Sequence, residues 1–261
     1  MSHTRRDFIA SSAAAALGVA LGRPVDAFAR RAAQPQPAFT PVRRNVGTFT
    51  MRGGTVGWLV NARGVVVVDT QFPVEAQALL AGLQSRSNNR GVDVLLNTHH
   101  HGDHTSGNPV FRGIARRVVA HGMADQHLRR SPGAAQPQQQ PQNAPEPLYP
   151  DTTFTHDWSA EVGDERIVAR HHGRAHTSGD AVITFERANV VHMGDLMFQR
   201  RDPVVDRAGG GWMRNWMRVL EQVVNAHARD TIYIFGHANT GLPVTGSSAD
   251  LLQFRDYLGA V

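Results

Sequence analysis

Residues 98–108 read THHHGDHTSGN and directly follow an apolar run containing Val92, Val94, Leu95 and Leu96. Four histidines and an aspartate within six residues do not make a core, because imidazole and carboxylate groups are costly to bury unless something satisfies them. Alternation places His99 and His101 on one side of an extended segment. Gly102 then lets Asp103 and His104 turn toward the same place. A register starting from His100 would put Gly102 where the second imidazole is needed, so His100 is the spare ring, pointing away. Nitrogen and oxygen donors of this kind suit a borderline cation such as zinc. A fold built on this stretch must end an apolar strand where other parts of the chain also converge.

The second half of the sequence supplies such partners. His176 lies in a loop over residues 173–180 that also carries Gly179 and Asp180. An apolar strand at 189–193 ends in Gly194 and Asp195, and another at 232–235 ends in Gly236 and His237. A polyhedral metal site must be assembled from several loops, so this recurrence of donors is the second signal. The remaining pattern alternates strands and helices. Strands are expected at 46–51 and 56–60 around Gly53 and Gly54, at 65–68, 117–121, 154–158, 166–171 and 181–185. Helices are expected at 74–85, 123–130, 212–224 and 249–258. The four valines at 65–68 form a run of the kind buried on both faces. Asp69, at its end, has two readings, a cap on the turn into the following helix or, the preferred one, a buttress for the histidine loop through its backbone N–H groups. His121 and His192 sit in strand registers and read as structural. His156, His171 and His172 lack the glycine-flanked context. Trp212, Arg214 and Trp216 follow three glycines and have two readings, a substrate-cleft wall or the surface of an amphipathic helix.

Composition narrows the setting. At 261 residues, with 41% hydrophobic and 19% charged residues, the chain has room for one sizeable globular domain. There is no cysteine, which excludes disulfides and thiolate ligands. All 27 basic residues are arginine, but they are scattered, so no nucleic-acid partner is expected. Residues 1–29 carry the pair Arg5 and Arg6, a mildly apolar run and a small-residue cleavage site, the pattern of a twin-arginine export signal. This implies the twin-arginine export machinery as a partner, a periplasmic location and no membrane anchor in the mature form. Residues 30–45 read as a Pro/Gln/Ala linker, and 46–261 as the domain. Within it, 131–147 is a low-complexity insertion with five Gln and four Pro between 133 and 147.

Taken together, His99, His101, Asp103 and His104, then His176, Asp195 and His237, resemble the ligand order of the metallo-β-lactamase superfamily over roughly residues 46–240. The resemblance implies an α/β fold, a four-layer αββα sandwich with its site at one edge. It implies a first metal on His99, His101 and His176, and a second on Asp103, His104 and His237. Asp195 would bridge them. The cofactors implied are two zinc ions, with iron or manganese as substitutes. The activity implied is hydrolysis of a small-molecule ester, lactone, thioester or β-lactam amide by a hydroxide shared between the metals. Asp103 would orient that hydroxide and pass a proton to the leaving group. The bridging aspartate and the lack of cysteine resemble the thioesterase and lactonase layouts more than the thiolate-ligated lactamases, whereas export favours a lactamase or another envelope hydrolase. The alternative is a non-hydrolytic periplasmic metal-binding or iron-dependent redox member of the same fold.

Overall fold

A computed structural model describes residues 35–130 and 146–261. The export signal read at 1–29 lies outside the described residues, as do 30–34 of the linker and 131–145 of the insertion.

The first sheet has seven strands in sequence order: β1 (Ala38–Arg43), β2 (Val46–Thr50), β3 (Val56–Val60), β4 (Val65–Val68), β5 (Val94–Asn97), β6 (Val118–His121) and β7 (Thr152–Phe154). The first four pair antiparallel, and β4 to β7 pair parallel. The second sheet runs β15 (Thr245–Gly246), β13 (Ile232–Ile234), β11 (Val190–His192), β10 (Val182–Phe185), β9 (Glu165–Arg170) and β8 (Asp157–Val162). A short parallel pair, β12 (Phe198–Gln199) and β14 (His237–Ala238), lies outside both.

Strand periodicity explains the layering. In β4, Val66 and Val68 face the second sheet and join Ile167, Ile183, Phe185 and Ile234 in the central core. Val65 and Val67 point the other way, against Leu79 and Leu83 of helix α1 (Pro73–Ser87). All four valines are fully buried, so the β-branched run is a strand covered on both faces, each side chain contributing roughly 1.5–3 kcal/mol. The outer face of the second sheet is covered by α4 (Met213–Ala226) and α5 (Ser248–Ala260), through Trp216, Leu220, Leu251 and Phe254. The order is helix, sheet, sheet, helix, the αββα sandwich expected. Two shorter helices, α2 (Gly102–Thr105) and α3 (Gly122–Arg130), follow β5 and β6. Among the described residues no helix is long and apolar enough to cross a membrane.

Two expectations are corrected. Residues 38–43, assigned above to the linker, form edge strand β1, in which Phe39 pairs with Phe49 and packs on Trp58. Pro41 lacks an N–H, which an edge strand with a register shift at that point tolerates. The single strand expected at 154–158 is two, because Thr155 and His156 carry the chain from β7 in one sheet to β8 in the other.

Candidate metal centre

The seven sequence-selected side chains come together at one edge of the sandwich. His99 and His101 lie just past the end of β5, where the chain leaves the sheet, and Asp103 and His104 lie on α2. His176 comes from the loop between β9 and β10, Asp195 from a single 3-10 turn (Gly194–Leu196) after β11, and His237 from β14. The ligating atoms of His99, His101, His176 and Asp195 form one group within 4.8 Å of one another, and those of Asp103, His104 and His237 form a second. Asp195 lies between them. Its Oδ2 is 3.9 Å from His99 Nε2, 3.6 Å from His176 Nε2 and 3.3 Å from His237 Nε2, while its Oδ1 is 3.0 Å from His104 Nε2. Asp103 Oδ2 is 3.1 Å from His237 Nε2 and 3.7 Å from His104 Nε2.

The outward ring atoms fix which nitrogens face inward. His104 Nδ1 donates to Asp69 Oδ2 at 2.8 Å, and His176 Nδ1 donates to the carbonyl of Val204 at 2.7 Å. His99 Nδ1 lies 3.0 Å from Thr98 Oγ1, whose own proton goes to Asp69. Each ring spends its single neutral N–H on an outward acceptor, so Nε2 presents a lone pair to the interior. His176 Nε2 and His101 Nδ1 face each other at 3.0 Å. His99 Nε2, His104 Nε2 and Asp195 Oδ1 are buried without a hydrogen bond. Acceptors aimed at acceptors in a desolvated pocket are unfavourable unless positive charge sits among them. The donor set of imidazoles and carboxylates therefore fits divalent metal ions, three donors to each group with Asp195 shared.

Protonation preferences have the same origin. Burial lowers His99 and His176, with neighbouring imidazoles adding to the effect. For His104 burial also disfavours charge, but Asp195, Asp103 and Asp69 outweigh it and raise the ring well above its usual value. His237 is pushed up to about 9 against its burial by Asp195 and a hydrogen bond to Asp103. Burial alone would raise the carboxyls of Asp103 and Asp195, yet His104 and His237 hold both below the usual range. The pocket draws in positive charge, whether as protons or as metal.

Close backbone approach makes the centre possible. The loop after β2 crosses directly over the second group: Gly54 N donates to Asp103 O, and a β-carbon on Gly54 would collide with the His104 ring. A β-carbon on Gly236 would likewise strike Asp195. Asp69 takes the role expected of it, accepting from the backbone N–H of Thr98, and its other oxygen adds the hydroxyl of Thr98 and the ring of His104.

The remaining singled-out residues divide. His192 is fully buried, with Nε2 donating to Thr55 O and Nδ1 accepting from Gly194 N. His121 is satisfied by Thr155 O and Met123 N. Trp216 is core and donates to Leu196 O, so it is no cleft wall, whereas Trp212 and Arg214 are exposed. His100 turns away from the seven-residue centre but stays buried, stacked on His127 with ring centroids 4.4 Å apart. Asp206 was not anticipated from sequence, although its Oδ2 lies 3.0 Å from His101 Nε2 and 3.4 Å from His100 Nε2. Its one sequence signal is the spacing to Gly209, whose N–H its other oxygen accepts in an Asx-type turn.

The metallo-beta-lactamase superfamily pattern matches residues 50–237. Over 180 residues the chain is 21% identical to a protein named metallo-beta-lactamase type 2 from Elizabethkingia meningoseptica, covering 69% of this chain and 67% of that protein. It is 26% identical over 196 residues to the 2,4-dinitroanisole O-demethylase subunit alpha of Nocardioides sp. (strain JS1661), covering 72% of this chain but 55% of that one. A metallo-beta-lactamase structure from Pontibacter korlensis superposes with a TM-score of 0.69 at 17% identity, over 87% of this chain and all of the other. The superposed fold and the matched pattern agree, and the chain belongs to the metallo-beta-lactamase superfamily.

Proposed function

We propose that the protein is an exported, zinc-dependent hydrolase of a small-molecule ester, lactone, thioester or amide. The observation that carries this reading is the shared position of Asp195 between two groups of inward-facing donors. His99, His101 and His176 would hold one zinc, Asp103, His104 and His237 the other, and Asp195 both. When bound, such metals acidify water and polarise a carbonyl oxygen. The chain's own residues arrange the rest. His99, His104 and His176 are sealed from solvent, while the side chains of Asp103 and His101 are 30% and 23% exposed. The open face of the centre thus lies on Asp103 and His101, where the scissile group would approach. Asp103, kept ionised by His104 and His237, is placed to accept a proton and return it to a leaving group on that side. One relative is named for β-lactam cleavage and another for O-demethylation, which supports a small organic substrate. Export through the twin-arginine machinery to the periplasm is part of the proposal and rests on the Arg5–Arg6 pattern.

A panel of lactams, lactones and thioesters, assayed with zinc-loaded wild type and with Asp103→Ala, tests the reaction class. Metal-dependent turnover lost in the variant is the expected result; zinc-loaded protein inert on every member would favour a non-hydrolytic role. A reporter fused to residues 1–35 should lose export when Arg5 and Arg6 become Ala, and unchanged export would refute that part.

A further inference from the structure

Of the five histidines in the centre, only His101 turns Nδ1 rather than Nε2 toward its neighbours, since Nδ1 faces His176 Nε2 at 3.0 Å. Something must hold the ring in that reversed presentation, and its far nitrogen meets Asp206 Oδ2 at 3.0 Å. We infer that Asp206 is the positioning residue for His101, fixing its Nε2–H tautomer so that the Nδ1 lone pair is delivered to the metal group. This rests on the metal-centre reading above. Asp206 is itself clamped. Its Oδ1 accepts from Gly209 N at 2.7 Å, its backbone N–H donates to His176 O, and its carbonyl accepts from Gly211 N at 2.6 Å. Gly209 O in turn accepts from Ser178 N, and the Ser178 hydroxyl lies 2.9 Å from His127 Nε2. The glycine triple therefore folds the 206–211 loop over two ligand-bearing segments at once, tying His101 to the His176 loop. A carboxylate on the far nitrogen both chooses the tautomer and raises the donor strength of the near one.

In metal-free protein labelled with 15N-histidine, two-bond 1H–15N correlations report the tautomer of each ring. His101, identified by its loss in His101→Gln, is expected as Nε2–H. Asp206→Ala should release it to a tautomer mixture and weaken zinc binding, measured against a chromophoric chelator, by about 10- to 100-fold. Asp206→Asn keeps an acceptor oxygen and should recover part of that affinity. A wild-type His101 in the Nδ1–H form overturns the inference, and this measurement stands even if the alanine variant does not fold. Unchanged zinc affinity in a natively folded Asp206→Ala also overturns it. His100, His101 and Asp206 offer three donors within 4.8 Å, so a third zinc equivalent bound by wild type and lost in Asp206→Ala would make Asp206 a ligand and contradict the positioning role. If wild type binds no zinc, the proposed function fails, while the His101 tautomer still decides the role of Asp206.

Discussion

Asp69 Oδ2 and His104 Nδ1 meet at 2.8 Å with both side chains fully excluded from solvent. Asp69 adopts a left-handed backbone (φ 66°) at the end of β4, where it also takes the N–H and hydroxyl of Thr98. One carboxylate thus joins the strand end to both flanks of the histidine stretch. Asp69→Ala would leave three buried donors without their acceptor. The expected loss is roughly 3–5 kcal/mol of folding stability, together with weaker binding of one zinc. Urea unfolding and zinc titration check this, and a variant as stable as wild type would show that Asp69 only caps a turn.

Gly54 lies where any β-carbon meets the His104 ring. Gly54→Ala must move either the ring or the loop. Overpacking of this kind costs roughly 1–3 kcal/mol, and metal affinity is expected to fall with it. A thermal melt and zinc titration at wild-type values would mean that the loop yields freely.

Two buried histidines outside the centre set an acid limit on stability. Burial lowers His121 to about 4, with His171 adding, and burial lowers His192 to about 4 as well. Below pH 6.5 the unfolded chain protonates these rings while the fold keeps them neutral. The contribution of these two rings is therefore complete above pH 6.5 and is lost as pH falls toward about 4, by roughly 3 kcal/mol for the fully buried His192 and by less for the partly desolvated His121. Chelator-treated protein, unfolded in urea at pH 7.5 and 4.5, should show that loss. A smaller slope is expected in His121→Gln, and the same slope would place the effect elsewhere.

Trp216 and Trp212 differ by one helical turn and by their whole environment. Trp216 is fully buried among Phe198, Phe254 and His176, whereas Trp212 is 52% exposed. Trp216→Ala is expected to cost roughly 3–5 kcal/mol, and Trp212→Ala within about 0.5 kcal/mol. Differential scanning calorimetry separates the two. Equal effects would contradict the packing described.

Much of this was legible in the sequence because periodicity and chemistry coincide. Val65 to Val68 announce a doubly buried strand, and His176, Asp195 and His237, chosen from three separate loops, all reach the centre. The unread parts have a common physical origin, which is that tertiary contacts decide them. The strand β1 carries Pro41 and continues a Pro/Gln/Ala stretch, and is held by Phe39 against Phe49 and Trp58. Asp206 sits in a polar loop, and only the fold brings it within reach of His101, 105 positions away. The spare ring, His100, does leave the seven-residue centre, but toward Asp206 and His127 rather than toward water. Trp216 fits neither the cleft-wall nor the helix-surface reading, because docking of helix α4 on the second sheet buries it in the core.

In the proposed function Asp195 joins two metal positions. Elemental analysis of purified, zinc-reloaded protein, run beside Asp195→Ala and His237→Ala, is the decisive measurement. Two zinc per chain in wild type, falling to one or fewer in both variants, is the predicted result; well under one zinc per chain in wild type after reloading would contradict it.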